Sequence, residues 1–425
     1  MNNINDKLSK KINNWLFIMF ILSILPTFIF GLLNNYSQMQ TIIWIWDILS
    51  IFLYSVLSIA IFGIKRIDKY TLKYFVIFVI IVGFQYLTYI YSLQNNLIEI
   101  LYMVLPITYL FHFLNTFVFV NSMAKSKIDI KKFLNLFLVF VVISCAYNIF
   151  KNYGYIFNVN TITSKYINIS SFFQQRNAFG QLCFFGIVAN TYLLNSKETK
   201  KKKIYYILSF ILIFANLIFS FSRTSIFAAI IFIVTNWMLN NNIFNKKNVP
   251  KIIGALVIVL ILFIIITKND NILNFLDYYV FRKQDGLTGR SNIWGIALSK
   301  LRDWHILIGY GLGSSPGLLK TVDLYNSHNT YIELLLTGGI MLFLFYLAIY
   351  LRVLKTSISI NNKVIRNHYI SFFLSFIVYM FFEKVLLFGT GYAPIMFTIF
   401  IVILPVFDKY YYEKNTKEGE RSVIK

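Results

Sequence analysis

Apolar runs of about 20 residues recur along almost the entire chain, and this repeat constrains the fold more tightly than any single motif. A run of that length crosses a hydrocarbon core of about 30 Å as one helix. Strands of a membrane β-barrel would be shorter and would alternate apolar with polar side chains. Composition agrees: 58% of the 425 residues are hydrophobic and 13% are charged, leaving too little polar surface for a soluble domain of this size. The expectation is an all-α polytopic membrane protein. It forms a single transmembrane domain over 1–425, with about 12 transmembrane helices near 15–34, 42–63, 73–92, 98–120, 133–150, 178–194, 204–221, 224–240, 251–267, 329–351, 368–384 and 391–407. A single helix from Ile204 to Met238 would be about 52 Å long at about 1.5 Å per residue. The chain is therefore expected to turn back at Ser220-Phe221-Ser222-Arg223-Thr224-Ser225. No small-residue cleavage site follows the first apolar run, which reads as an uncleaved span.

The formal charge is +23, and its distribution argues against nucleic acid as a partner. With the N-terminus placed in the cytoplasm, 28 of the 40 basic residues fall on inner segments, as the positive-inside rule requires. An even number of spans also returns the tail, 408–425, to the cytoplasm. The longest polar segment, 268–327, then becomes an outer loop. Arginine supplies 5 of the 12 outer basic residues (Arg176, Arg223, Arg282, Arg290 and Arg302) but only 4 of the 28 inner ones. A guanidinium grips phosphate or carboxylate with two parallel hydrogen bonds; interfacial snorkelling is the alternative reading.

Candidate chemistry collects on that outer side. Arg223 sits in a tight turn, with Ser222, Thr224 and Ser225 as further donors to an anion. Arg290 follows Thr288-Gly289 and opens an expected helix running to about Arg302, where backbone N–H groups also favour an anion. Ile293, Trp294, Ala297, Leu298 and Leu301 recur at helical spacing and should press this helix onto the bundle. His328 precedes the tenth span; as a neutral imidazole it suits a general base near pH 7. Asn329 is placed to orient His328 or a substrate hydroxyl; for His328 the alternative reading is helix capping and interface polarity. Glu333 lies about 140° around the helix from His328, so Glu333 reads first as structural, within a capping box begun by Thr330. Arg176 and Asn177 precede the sixth span and can line the same cavity. The run Gly309-Tyr310-Gly311-Leu312-Gly313 lacks the phosphate-loop pattern; it should permit a close backbone approach and supply backbone donors. His112 reads as a packed bundle residue, and His305 as a weaker site candidate. Cys145 and Cys183 imply no disulfide or metal, and no residue set has metal-ligand spacing.

Together, Ser222-Arg223-Thr224, Thr288-Gly289-Arg290 with Trp294, Gly309-Tyr310-Gly311-Leu312-Gly313, and His328-Asn329-Thr330-Tyr331 with Glu333 and Gly338-Gly339 resemble the O-antigen ligase and Wzy polysaccharide polymerase superfamily of integral-membrane glycosyltransferases. The core resemblance covers about 170–350. It implies a GT-C-like bundle with short amphipathic helices in the outer loop. It also implies a bacterial cytoplasmic-membrane location and an outward-facing site. The donor and acceptor would be undecaprenyl-diphosphate-linked glycans, with no cofactor or metal, and with membrane lipid, flippase and chain-length regulator proteins as partners. By the same resemblance, Arg223 and Arg290 hold the pyrophosphate and His328 is the general base. Repeat-unit polymerisation is the leading reading and ligation to lipid A core or another acceptor the second. A lipid-linked oligosaccharide flippase is a third class, to which Asp47 and Glu99, in or near spans, lend support.

Overall fold

The computed structural model describes residues 2–32, 39–63, 69–97, 100–123, 128–156, 169–173, 175–196, 199–243, 290–320 and 327–412. The expected ninth span (251–267), Gln174, Glu99, Arg282, Thr288, the Gly286–Gly289 stretch, Asp270, Asp277, Asp285, Asp323 and the tail beyond 412 lie outside the described residues. Among the described residues every regular element is a helix. Its long helices are α1 (Asn2–Leu32), α2 (Gln40–Phe62), α3 (Lys69–Gln94), α4 (Leu105–Met123), α5 (Lys131–Ile156), α6 (Arg176–Leu194), α7 (Lys200–Phe219) and α8 (Arg223–Asn240). Three short helices follow: α9 (Arg290–Lys300), α10 (His305–Ile308) and α11 (Ser315–Leu318). The bundle closes with α12 (Thr330–Ile358), α13 (Lys363–Phe382) and α14 (Tyr392–Tyr412).

Nine of the described helices are long and apolar enough to cross a membrane. The protein is thus an all-α, multi-pass membrane protein. Helices α4 and α6 occupy the expected fourth and sixth places, and both carry polar side chains along their length, among them His112, Asn115, Gln181 and Asn190. The expected reversal after α7 occurs at Ser220–Ser222, where Phe221 takes a positive φ of 51°. Gly180 of α6 makes room for this turn, since a Cβ there would lie 2.3 Å from the Ser222 Cβ. Burial separates centre from periphery. The most apolar stretch of α14 is 78% buried and that of α13 61%, against 28% in α7 and 33% in α2.

Polar ties fix the two ends of the bundle. At one end Asn13 of α1 donates to the Asp129 carbonyl beside α5 (2.7 Å). There Tyr206 of α7 donates to Asn135 of α5 (2.8 Å), and Asn190 of α6 donates to the Tyr206 carbonyl (2.9 Å). Buried Asp408 of α14 accepts from Tyr192 (2.9 Å) and Tyr369 (2.7 Å) at the same end. The beginning of α1 and the end of α14 therefore share one end of the bundle.

Two departures from regular helix shape the opposite half. In α12 the backbone breaks at Gly339 (φ 62°, ψ −164°), and the glycine run docks against the break. The amides of Tyr310 and Gly311 donate to the carbonyls of Leu336 (2.8 Å) and Thr337 (2.9 Å). Gln85 of α3 clasps both partners, donating to the Thr337 carbonyl (3.0 Å) and accepting from the Leu312 amide (2.8 Å). This is why an amide side chain is stable inside an apolar helix. The glycines do permit close approach and do supply backbone donors, and those donors are spent on the broken helix. The second departure is the non-helical segment Glu383–Gly391, whose residues 385–389 are buried. Such backbone survives at membrane depth only where protein satisfies it. Here Tyr346 donates to the Leu387 carbonyl (2.6 Å), and the Phe388 amide donates to Thr398 (3.2 Å). His112 Nδ1 meets the Gly389 carbonyl at 3.1 Å, which settles His112 as a bundle residue.

The described part of the polar loop has a small core of its own. Ile293 and Ala297 of α9 pack with Tyr310, Leu318, Leu319, Ile332 and Leu336. Trp294 and Leu301 lie partly buried against it. Leu298, expected on that face, is 48% exposed instead, because it falls about 140° from Ile293 around the helix. His305 is buried and stacked on Tyr310, with ring centroids 3.8 Å apart; its Nδ1 lies 2.8 Å from the Gly309 carbonyl.

Candidate functional site

Four chain segments meet around Glu383 at the end of α13. Glu383 Oε1 accepts from Asn177 Nδ2 at the start of α6 (3.2 Å) and, more weakly, from Thr224 Oγ1 at the start of α8 (3.4 Å). Its other oxygen lies 3.7 Å from His328 Nδ1. The Glu383 side chain is 14% exposed and that of His328 34%, so the pair is reachable from the surface without standing free in solvent. Arg176 and Arg223 each immediately precede a Glu383 donor, are partly buried, and begin α6 and α8. Neither helix start is capped by its own N-cap side chain. Two helix N-termini, each bearing an arginine, therefore open at the same end of the bundle, an arrangement suited to an anion.

Local sequence explains each placement. Asn329 is the N-cap of α12, its Oδ1 accepting from the amides of Tyr331 (2.9 Å) and Ile332 (3.1 Å). The N-cap expected at Thr330 is thus displaced by one residue and no capping box forms, because Asn is a strong N-cap and extended backbone at 329 presents its side chain to the first free amides. Thr330 is released for another task. Its hydroxyl donates to the Glu383 carbonyl (2.8 Å) and accepts from the Val385 amide (2.9 Å), pinning the buried segment beside the start of α12. His328, just before the cap, takes a positive φ of 49°.

Glu333 is fully buried and does not pair with His328. Its Oε1 meets Lys384 Nζ (2.7 Å) and Ser315 Oγ (2.6 Å). Its Oε2 accepts from the Ser327 hydroxyl (3.0 Å) and amide (3.3 Å). The structural role expected of Glu333 is what its surroundings provide, and the carboxylate beside His328 belongs to Glu383. Ser222, also buried, donates to Ser225 (3.0 Å), holding the turn before Arg223. Trp294 of α9 donates its indole N–H to the Ser327 carbonyl (3.1 Å), which ties the loop helix to the residue before His328. Arg290 opens α9 one turn ahead of Trp294; its side chain lies outside the described residues. Arg302 is exposed, and its Nε donates to the Ser299 carbonyl (2.9 Å).

The structure thus brings His328, Asn177 and Thr224 together, with Arg176 and Arg223 alongside. It withdraws Asn329 and Glu333 into a helix cap and an ion pair. Sequence reasoning missed Glu383 and Lys384. A signal was present: they are the only charged residues between Arg366 and Asp408, and an isolated acid–base pair inside an apolar stretch marks a costly, partnered position. Among the described residues, no group of three or more His, Cys, Asp or Glu is placed to hold a metal ion.

Residues 208–347 match the family described as O-Antigen ligase. The match runs from α7 through the break in α12 and takes in Arg223, Arg290, the glycine run and His328. It supports membership of the O-antigen ligase/Wzy-like superfamily over about a third of the chain. Asn177, Glu383 and Lys384 lie outside it and join the site through the fold. No curated protein matches the chain.

Proposed function

We propose that this protein is a membrane glycosyltransferase that polymerises undecaprenyl-diphosphate-linked repeat units into a surface polysaccharide on the outer face of the bacterial cytoplasmic membrane. The observation that carries this reading is the meeting of His328, Asn177 and Thr224 on one carboxylate, at the end of the bundle where Arg176 and Arg223 open their helices. The expected span at 251–267 would complete a GT-C-like, twelve-span plan, with both termini in the cytoplasm. The Glu383 end then faces outward, because the lysine-rich segments collect at the opposite end.

In this reading the acceptor sugar hydroxyl loses its proton to His328 Nε2. Its oxygen attacks the anomeric carbon of the donor glycan, and the bond from that carbon to the diphosphate oxygen breaks with inversion. Undecaprenyl diphosphate leaves carrying the electron pair. Glu383 faces His328 Nδ1, which fixes the imidazole orientation and offsets the positive charge that it gains. Arg223 and Arg290, with Arg176 and the uncapped starts of α6 and α8, offset the charge that grows on the leaving diphosphate. The apolar bundle holds the prenyl chain, and α9–α11 cover the sugars.

Reconstitution with an undecaprenyl-diphosphate-linked repeat unit tests the reading. Longer lipid-linked glycans are expected. Transfer solely to a different acceptor supports the ligase reading, which the family description favours. Unchanged glycan, moved across the bilayer or not, overturns both transferase readings.

A further inference from the structure

Resting on that transferase reading, we propose that Lys384 and Glu333 are a positioning pair that sets His328 for proton transfer. Glu383 has extended backbone (φ −141°, ψ 148°), so the side chains of Glu383 and Lys384 leave the chain in opposite directions. One carboxylate oxygen of Glu383 faces His328. Lys384 reaches Glu333, whose second oxygen holds both the amide and the hydroxyl of Ser327. Neighbouring residues 383 and 384 thereby grip neighbouring residues 328 and 327.

The grip has something to hold against. A histidine at φ 49° occupies a region that side chains bearing Cβ enter at a cost, and it persists where the surroundings over-determine it. Ser327 is the surrounding that does so: it is fully buried, tied through Glu333 on one side and through the Trp294 indole on the other. Lys384 supplies the cation that aims the Glu333 carboxylate. Without it, only the hydrogen bonds from Ser315 and Ser327 orient an uncompensated buried carboxylate, and the hold on His328 beside Glu383 is loosened. Glu333 has no exposed surface with which to touch a substrate, so it acts through the residues that it holds.

The test uses the full-length protein with Lys384→Met, Lys384→Arg and the double variant Glu333→Gln/Lys384→Met. The double variant leaves no orphaned charge, so it decides the matter if Lys384→Met alone fails to accumulate. A readout independent of activity is available, because His112, His305 and His368 are buried while His328 is partly exposed. Carbethoxylation by diethylpyrocarbonate, followed by mass spectrometry of the peptide carrying residue 328, therefore reports His328. Lys384→Met and the double variant are expected to change that labelling rate and to lower kcat by about 100-fold, with KM within about twofold, the scale of a misplaced catalytic group. Lys384→Arg should retain wild-type labelling and kcat. In a His328→Ala background, Lys384→Met should add no further loss, since both act through one group. Wild-type labelling and kcat in the double variant overturn the proposal, as does a full additional loss in the His328→Ala background. If His328→Ala itself keeps wild-type turnover, the general-base role of His328 fails instead, and the labelling arm still decides whether Lys384 sets His328; the transferase reading itself fails where the wild-type protein leaves the lipid-linked glycan unchanged.

Discussion

Glu383 and Glu333 show how little of a carboxylate's role resides in its sequence position. Glu333 stands five residues from His328 and binds a lysine; Glu383 stands far away in the chain and faces the imidazole. Replacing Glu383 with Gln keeps a hydrogen-bonding group near Asn177 and Thr224 but removes the charge that supports a protonated His328. Turnover of a lipid-linked repeat unit is expected to fall by about 10–100-fold with membrane insertion intact. Unchanged turnover would remove Glu383 from the mechanism. His328→Ala should cost more, about 10²–10⁴-fold, the usual worth of a general base. Arg223→Ala and Arg290→Ala should each lower turnover strongly while the protein still inserts; normal rates in both would defeat the diphosphate role.

At the scale of elements, the broken helix α12 and the buried segment 383–391 do the positioning. The break is possible because Gly309 meets Gly338, and Gly339 meets Leu307, backbone to backbone. A Cβ on Gly309 would lie 2.4 Å from the Gly338 amide nitrogen, and one on Gly339 would lie 2.3 Å from the Leu307 carbonyl group. Gly339→Val adds both that clash and an unfavourable φ. It should destabilise the protein by about 1–3 kcal/mol or more, read as a lower melting temperature in detergent; an unshifted melting curve would contradict the docked arrangement. Tyr346→Phe removes the hydroxyl that satisfies the Leu387 carbonyl deep in the bundle. Leaving that acceptor unpaired should cost about 1–3 kcal/mol, and turnover should fall alongside, because the same segment carries Glu383. Stability loss without any loss of turnover would separate the segment from the site. The glycine motifs were legible in the sequence as places of close approach. What each approaches was not, because glycine records an absence of bulk and says nothing of the partner.

Over the whole molecule, the orientation proposed from charge is open to direct measurement. Asn241, exposed after α8, and Trp304, exposed before α10, belong to opposite ends of the bundle. In intact cells a membrane-impermeant maleimide should label Trp304→Cys, and should reach Asn241→Cys only after permeabilisation. The reverse pattern would invert the proposed topology. The apolar runs and the lysine clusters determined by themselves that this chain is a helical membrane bundle and where most of its long helices lie. These are local properties: hydrophobic length sets a span. Only the tertiary structure decided that Asn177, Thr224 and Glu383 surround His328, and that Glu333 answers to Lys384. Side chains on separate helices meet according to how those helices pack, and the buried segment that delivers Glu383 and Lys384 is shaped by hydrogen bonds from Thr330, Tyr346, His112 and Thr398, none of which is its neighbour in the chain.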